Sequence, residues 1–98
     1  MDEFPDPVLP TYALLARFRV EADSPDAAVR VAVAALTRAQ EPFHEVAVER
    51  EDGPGLYFVV ARFVLASVDG RTVLDGLYTT LREAGLAPDE VWLDAQVA

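Results

Sequence analysis

Few residues in this chain could do chemistry: one histidine, a few arginines on extended segments and one glycine-rich loop. His44 is followed by Glu45 and, further on, by Glu49. A general base needs a partner that orients it and a cleft in which to work. On a strand, adjacent side chains point to opposite faces, so Glu45 is badly placed to orient His44. Only Glu45 and Glu49 would share a face, and two carboxylates do not make a zinc triad. His44 is therefore read as a solvated or hydrogen-bonded residue at a strand start. It is the weakest candidate, and no catalytic residue, metal site or cofactor is expected. The Gly53-Pro54-Gly55 loop joins two extended segments and opens no helix, so it lacks the N-terminal amides that cradle a phosphate. It reads as a hairpin turn.

Arg17, Arg19 and Arg62 admit two readings. Guanidinium forks bind carboxylate or phosphate in bidentate fashion, which suits a pocket for a small anionic metabolite. Glu45 and Glu49 flank them on one side and Asp94 on the other, so cross-strand acid–arginine pairs would satisfy all three. The number of acids favours the second reading. The composition narrows the field further. There is no cysteine and no lysine. Disulfides, thiolate ligands, cysteine nucleophiles and Schiff bases are thereby excluded. The formal charge of −9 opposes binding to nucleic acid or anionic membranes. No apolar run approaches the ~18 residues of a membrane span, and Met1–Pro10 has neither a basic region nor an apolar one, so a cytoplasmic location is expected.

The elements that must position these residues follow from hydrophobic period. Residues 1–11, with Pro5, Pro7 and Pro10, read as an extended arm. The remainder, 12–98, reads as one domain. Tyr12–Ala22 alternates: Tyr12, Leu14, Ala16, Phe18 and Val20 on one face, with Ala13, Leu15, Arg17 and Arg19 on the other. Ser24-Pro25-Asp26 starts a helix with Val29, Ala32, Val33 and Leu36 as its stripe, stopped by Pro42. A strand over 44–51 puts Val46 and Val48 opposite Glu45, Ala47 and Glu49. A strand over 56–68 is apolar on both faces, as a central strand is. Asp69 caps a second helix with Val73, Leu74, Leu77, Tyr78 and Leu81 inward, ended by Gly85. Glu90–Val97 alternates again, with Val91, Leu93, Ala95 and Val97 inward and Trp92, Asp94 and Gln96 outward.

The order βαββαβ resembles the ferredoxin-like α+β fold. That resemblance implies a four-stranded antiparallel sheet, order 4-1-3-2, with two helices on one face. The two halves look like one unit used twice, without a visible sequence repeat. RNA-recognition motifs share the order and show aromatics on the third strand. Here only Phe58 would face outward, and the charge is wrong for RNA. Ligand-sensing ACT domains and dimeric α+β-barrel proteins are similar in order and size, at the level of architecture only.

If helices cover one face, the open face carries Leu15, Arg17, Arg19, Phe58, Val60, Arg62, Val64, Trp92 and Asp94. Its apolar members form a cluster of the kind that marks a partner or a ligand. The expectation is a homodimer with two-fold symmetry through this face, with room for a small molecule beside it. Two alternatives stand beside it. The arm could fold over the face with Phe4 and Leu9, or the chain could be a small cofactor-free enzyme of the α+β-barrel type, with His44, Arg62 and Trp92 at its site.

Overall fold

The structure is a computed structural model that describes residues 9–97. Its elements run β1 (Thr11–Glu21), α1 (Pro25–Arg38), β2 (Glu45–Glu51), β3 (Leu56–Ala66), α2 (Gly70–Glu83) and β4 (Glu90–Gln96). The four strands form one antiparallel sheet in the order β2-β3-β1-β4. This is the ferredoxin-like α+β architecture anticipated from the hydrophobic periods. Of the expected arm, Thr11 already belongs to β1, and the Pro10 carbonyl accepts from Ser67 N–H. The positions of Phe4 and the rest of 1–8 lie outside the described residues.

Both helices bury their apolar stripes against the same face of the sheet. Tyr12, Leu14, Ala16, Phe18 and Val20 of β1, with Tyr57, Val59, Ala61 and Phe63 of β3, meet Ala28, Ala32 and Leu36 of α1 and Val73, Leu77 and Leu81 of α2. The α1 stripe thus turns on Ala28 rather than on Val29 and Val33, because alanines let the helix approach the sheet closely. Tyr78, expected inward on α2, is instead 41 % exposed and lies under the Arg82 guanidinium. α1 ends at Arg38, before Pro42, with Gln40 in the left-handed region (φ 57°). β3 stops at Ala66, where its partner β1 runs out at Thr11.

The sheet contains a repeat that the alternation alone does not reveal. Adding 45 to a residue number carries β1-α1-β2 onto β3-α2-β4 without insertion or deletion. Tyr12, Ala16, Arg17 and Phe18 become Tyr57, Ala61, Arg62 and Phe63. Glu45-Val46 becomes Glu90-Val91. The N-caps Ser24 and Asp69 correspond, as do the two buried helix stripes and the left-handed residues Gln40 and Gly85. The loop hydrogen bonds correspond too. His44 N–H donates to the Arg62 carbonyl and Asp89 N–H to that of Arg17, each at 2.7 Å. Asp52 N–H donates to Leu56 (2.7 Å) and Val97 N–H to Thr11 (2.8 Å). The local two-fold axis passes between the paired Ala16 and Ala61, normal to the sheet.

The edge strands depart from strict alternation. β2 bulges at Glu49, so that Val48 faces Val59 but Arg50 faces Phe58. β4 bulges at Asp94, the position related by the repeat, so that Leu93 faces Leu14 but Ala95 faces Ala13. Each extra residue turns the rest of its strand over. Ala95 therefore joins the open face and Gln96 the helix side, the reverse of the expectation.

Two tests follow. The repeat places Val97 and Thr11 as Asp52 and Leu56 stand around the Asp52–Gly55 turn, where Gly53 (φ 101°) and Gly55 (φ 74°) supply conformations other residues avoid. A chain opened between Gly53 and Pro54, with Gln96 joined to Thr11 by a copied Asp-Gly-Pro-Gly turn, is expected to fold to the same circular dichroism spectrum. A random-coil spectrum would count against the equivalence of the halves. The caps separate by pH. The hydrogen bond that Asp69 accepts from Thr72 N–H holds its carboxyl below 3.8. A depressed acid stabilises the fold above its unfolded pKa and loses that contribution as pH falls through the folded one. Asp69→Ala should therefore lower the urea midpoint at neutral pH, with the difference shrinking as pH falls below 3.8. Ser24→Ala, at a cap that does not titrate, should cost about 1 kcal/mol throughout.

Candidate functional site

The open face is a grid of cross-strand pairs, since directly opposed residues of an antiparallel sheet share a face. Its first row is Arg50, Phe58 and Arg19, and the second is Ala47, Val60, Arg17 and Glu90. The third is Glu45, Arg62, Leu15 and Trp92, and the fourth is Val64, Ala13 and Ala95. All nine residues singled out for this face are brought together on it. His44 is exposed at the mouth of β2, engaged through its backbone N–H, and its repeat counterpart is Asp89. The imidazole is thus not needed for the one contact this position makes in both halves.

The arginines are paired. Arg17 donates from Nε and Nη2 to both oxygens of Glu49, at 3.0 and 3.1 Å, and stands 3.6 Å from Glu90. That bidentate bond, chiefly, raises its pKa above the ordinary value, with burial opposing. Arg62 donates to Asp94 at 3.4 Å, which is the Arg17–Glu49 pair carried over by the repeat. Both bulges thus aim a carboxylate at an arginine of a central strand. Arg19 and Arg50 share Asp52, at 3.2 and 3.5 Å.

Guanidiniums also cover the rings. Phe58 lies outside the helix-side core yet is only 5 % exposed. Arg50, Arg19 and Arg17 stand 4.3, 5.3 and 5.7 Å from its centroid, and Arg17 also lies 5.2 Å from Trp92. Delocalised, weakly hydrated guanidiniums suit this cover, and each such contact is worth about 0.5–1 kcal/mol at exposed sites. Leu15, Val60 and Trp92 remain half-buried, and Val64 is 42 % exposed. The face is apolar ground crossed by neutralised ion pairs.

Arg50 was not among the residues the sequence singled out. Strict alternation from Val46 and Val48 would drive its guanidinium under the helices without a partner, at a large cost. That conflict is the signal of a bulge. A cavity of about 250 Å³ sits on the helix side between α1, β1 and Leu86, lined by Phe18, Val20, Val31 and Leu36. Neither this cavity nor three others, at α1, α2 and the Asp52–Gly55 turn, is lined by His44, Arg62 or Trp92. Among the described residues, no three His, Asp or Glu side chains group as metal ligands, and no helix is long and apolar enough to cross a membrane. No protein-family model, curated protein or solved structure matches this chain.

The two buried phenylalanines predict a contrast. Phe63 is fully enclosed by helices and sheet, whereas Phe58 is roofed by flexible arginines that can settle onto a vacated site. Phe63→Ala should cost about 3–5 kcal/mol in urea denaturation, and Phe58→Ala clearly less. Equal losses would mean that the arginine roof is as rigid as the core.

Proposed function

We propose that this chain is an interaction module that associates with a second copy of itself through the open sheet face. One observation carries the reading: the arginines of this face are neutralised in place while apolar side chains between them stay accessible. Of the protein's seventeen acids and eight basic residues, Glu49, Asp52, Glu90 and Asp94 pair with Arg17, Arg19, Arg50 and Arg62 here, and Glu45 stands opposite Arg62 in the ladder, so the face is nearly neutral on a chain of −9. Two copies of a chain of this net charge repel one another, and least where charges cancel. The same balance leaves no unpaired cationic fork for nucleic acid or an anionic membrane. Four strands spaced by ~4.8 Å, each rising ~3.3 Å per residue, give a face of roughly 500 Å² in projection. Its accessible area exceeds that, within reach of the ~800 Å² per partner of a standard interface. The cytoplasm is the proposed setting.

The test uses Trp92, the sole tryptophan, which lies on this face. Light scattering at micromolar concentration should give the mass of two chains, and dilution should shift Trp92 emission to the red as the face becomes wet. Phe58→Arg should reduce the mass to one chain. A single-chain mass for the unaltered protein refutes the proposal.

A further inference from the structure

We infer that the second copy docks with its two-fold axis across the strands, so that the Phe58–Arg19–Arg50 end of each chain lies over the Val64–Ala13–Ala95 end of the other. The inference rests on the homodimer reading and goes further by fixing its register.

The argument starts from where the repeat fails. Most of the centre of the face obeys it: Leu15 and Val60, Arg17 and Arg62, Glu45 and Glu90, and Glu49 and Asp94 correspond, and only Trp92 stands where the other half has Ala47. The ends do not. Phe58, Arg19, Arg50 and Asp52 correspond to Ala13, Val64, Ala95 and Val97. One end thus carries a ring under two half-exposed guanidiniums, and the other carries small apolar side chains, with Val64 and Val97 42 % and 48 % exposed.

A face-to-face two-fold axis must lie in the plane between the sheets. Together with the local axis through Ala16 and Ala61, it offers two in-plane directions that superpose the conserved centre equally well. Along the strands, each end meets its own copy. Arg19 then lies over the partner's Phe58 and beside the partner's Arg50, and because each Arg19–Arg50 pair shares the single carboxylate of Asp52, an excess of positive charge faces its own copy in a drying interface. Bulk meets bulk there, and small side chains leave a gap at the opposite end. Across the strands, bulk meets the low end twice over, and no arginine cluster faces another. Close packing and charge select the same direction.

The chain has no native cysteine, so single thiols report position cleanly. Arg19→Cys and Val64→Cys alter exposed residues, and each variant would be treated with a short bismaleimide, alone and as a 1:1 mixture. Across-strand docking places residue 19 of one chain near residue 64 of the other. The mixture should crosslink about tenfold or more faster than either variant alone, because held thiols react at an effective concentration far above that in bulk. Rapid crosslinking of each variant alone establishes docking along the strands and overturns the inference while sparing the dimer. A two-chain mass with slow crosslinking in every tube puts the contact off this face and overturns it too. A one-chain mass is the separate failure of the homodimer reading.

Discussion

The antiparallel ladder between β1 and β3, centred on Ala16 and Ala61, is the constraint on which the rest depends. Both alanines are fully buried beneath the helices, and their small size lets the two βαβ halves meet without a gap. The ladder runs unbroken from Thr11–Ala66 to Glu21–Leu56. It fixes the local two-fold axis, the side of the sheet the helices occupy, and which residues face away. A slip by one residue would exchange the two faces and drive Arg17 and Arg62 into the core.

From that ladder the open face acquires its character in two steps. The repeat supplies a centre in which each half contributes an arginine, a bulged carboxylate and a branched aliphatic residue. The divergence of the halves then builds an aromatic–arginine cluster at one end only. Arg17 links the two regions, bonded to Glu49 and lying against both Phe58 and Trp92. The charges hold one another in place, so the surface offers shape and apolar contact rather than net charge.

Much of this was legible in the sequence because period-two and period-3.6 patterns report which side of an element is buried. β1 and β3 follow strict alternation, and all nine outward residues were placed on one face. Local rules failed where one residue was added. The bulges at Glu49 and Asp94 leave no mark on hydrophobicity, since the inserted residues are acids on exposed edges. Arg50 was the legible clue, a charge that continued alternation would have buried. The repeat escaped notice because its shared residues, Tyr-x-x-x-Ala-Arg-Phe and Glu-Val, are sparse, and it emerges only when strand ends, caps and loop hydrogen bonds are aligned together. The anion-pocket reading of Arg17, Arg19 and Arg62 turned on pairing geometry that composition does not carry, and the structure gives each a carboxylate.

The paired bulges have one more consequence. β2 and β4 are the margins of the sheet, and a flat margin exposes a row of unbonded amides and carbonyls to which strands of other molecules can add. Here both margins are kinked at mid-length and bear carboxylates at the kink. Addition of further strands is thereby disfavoured on both flanks by the residues that also tether the central arginines.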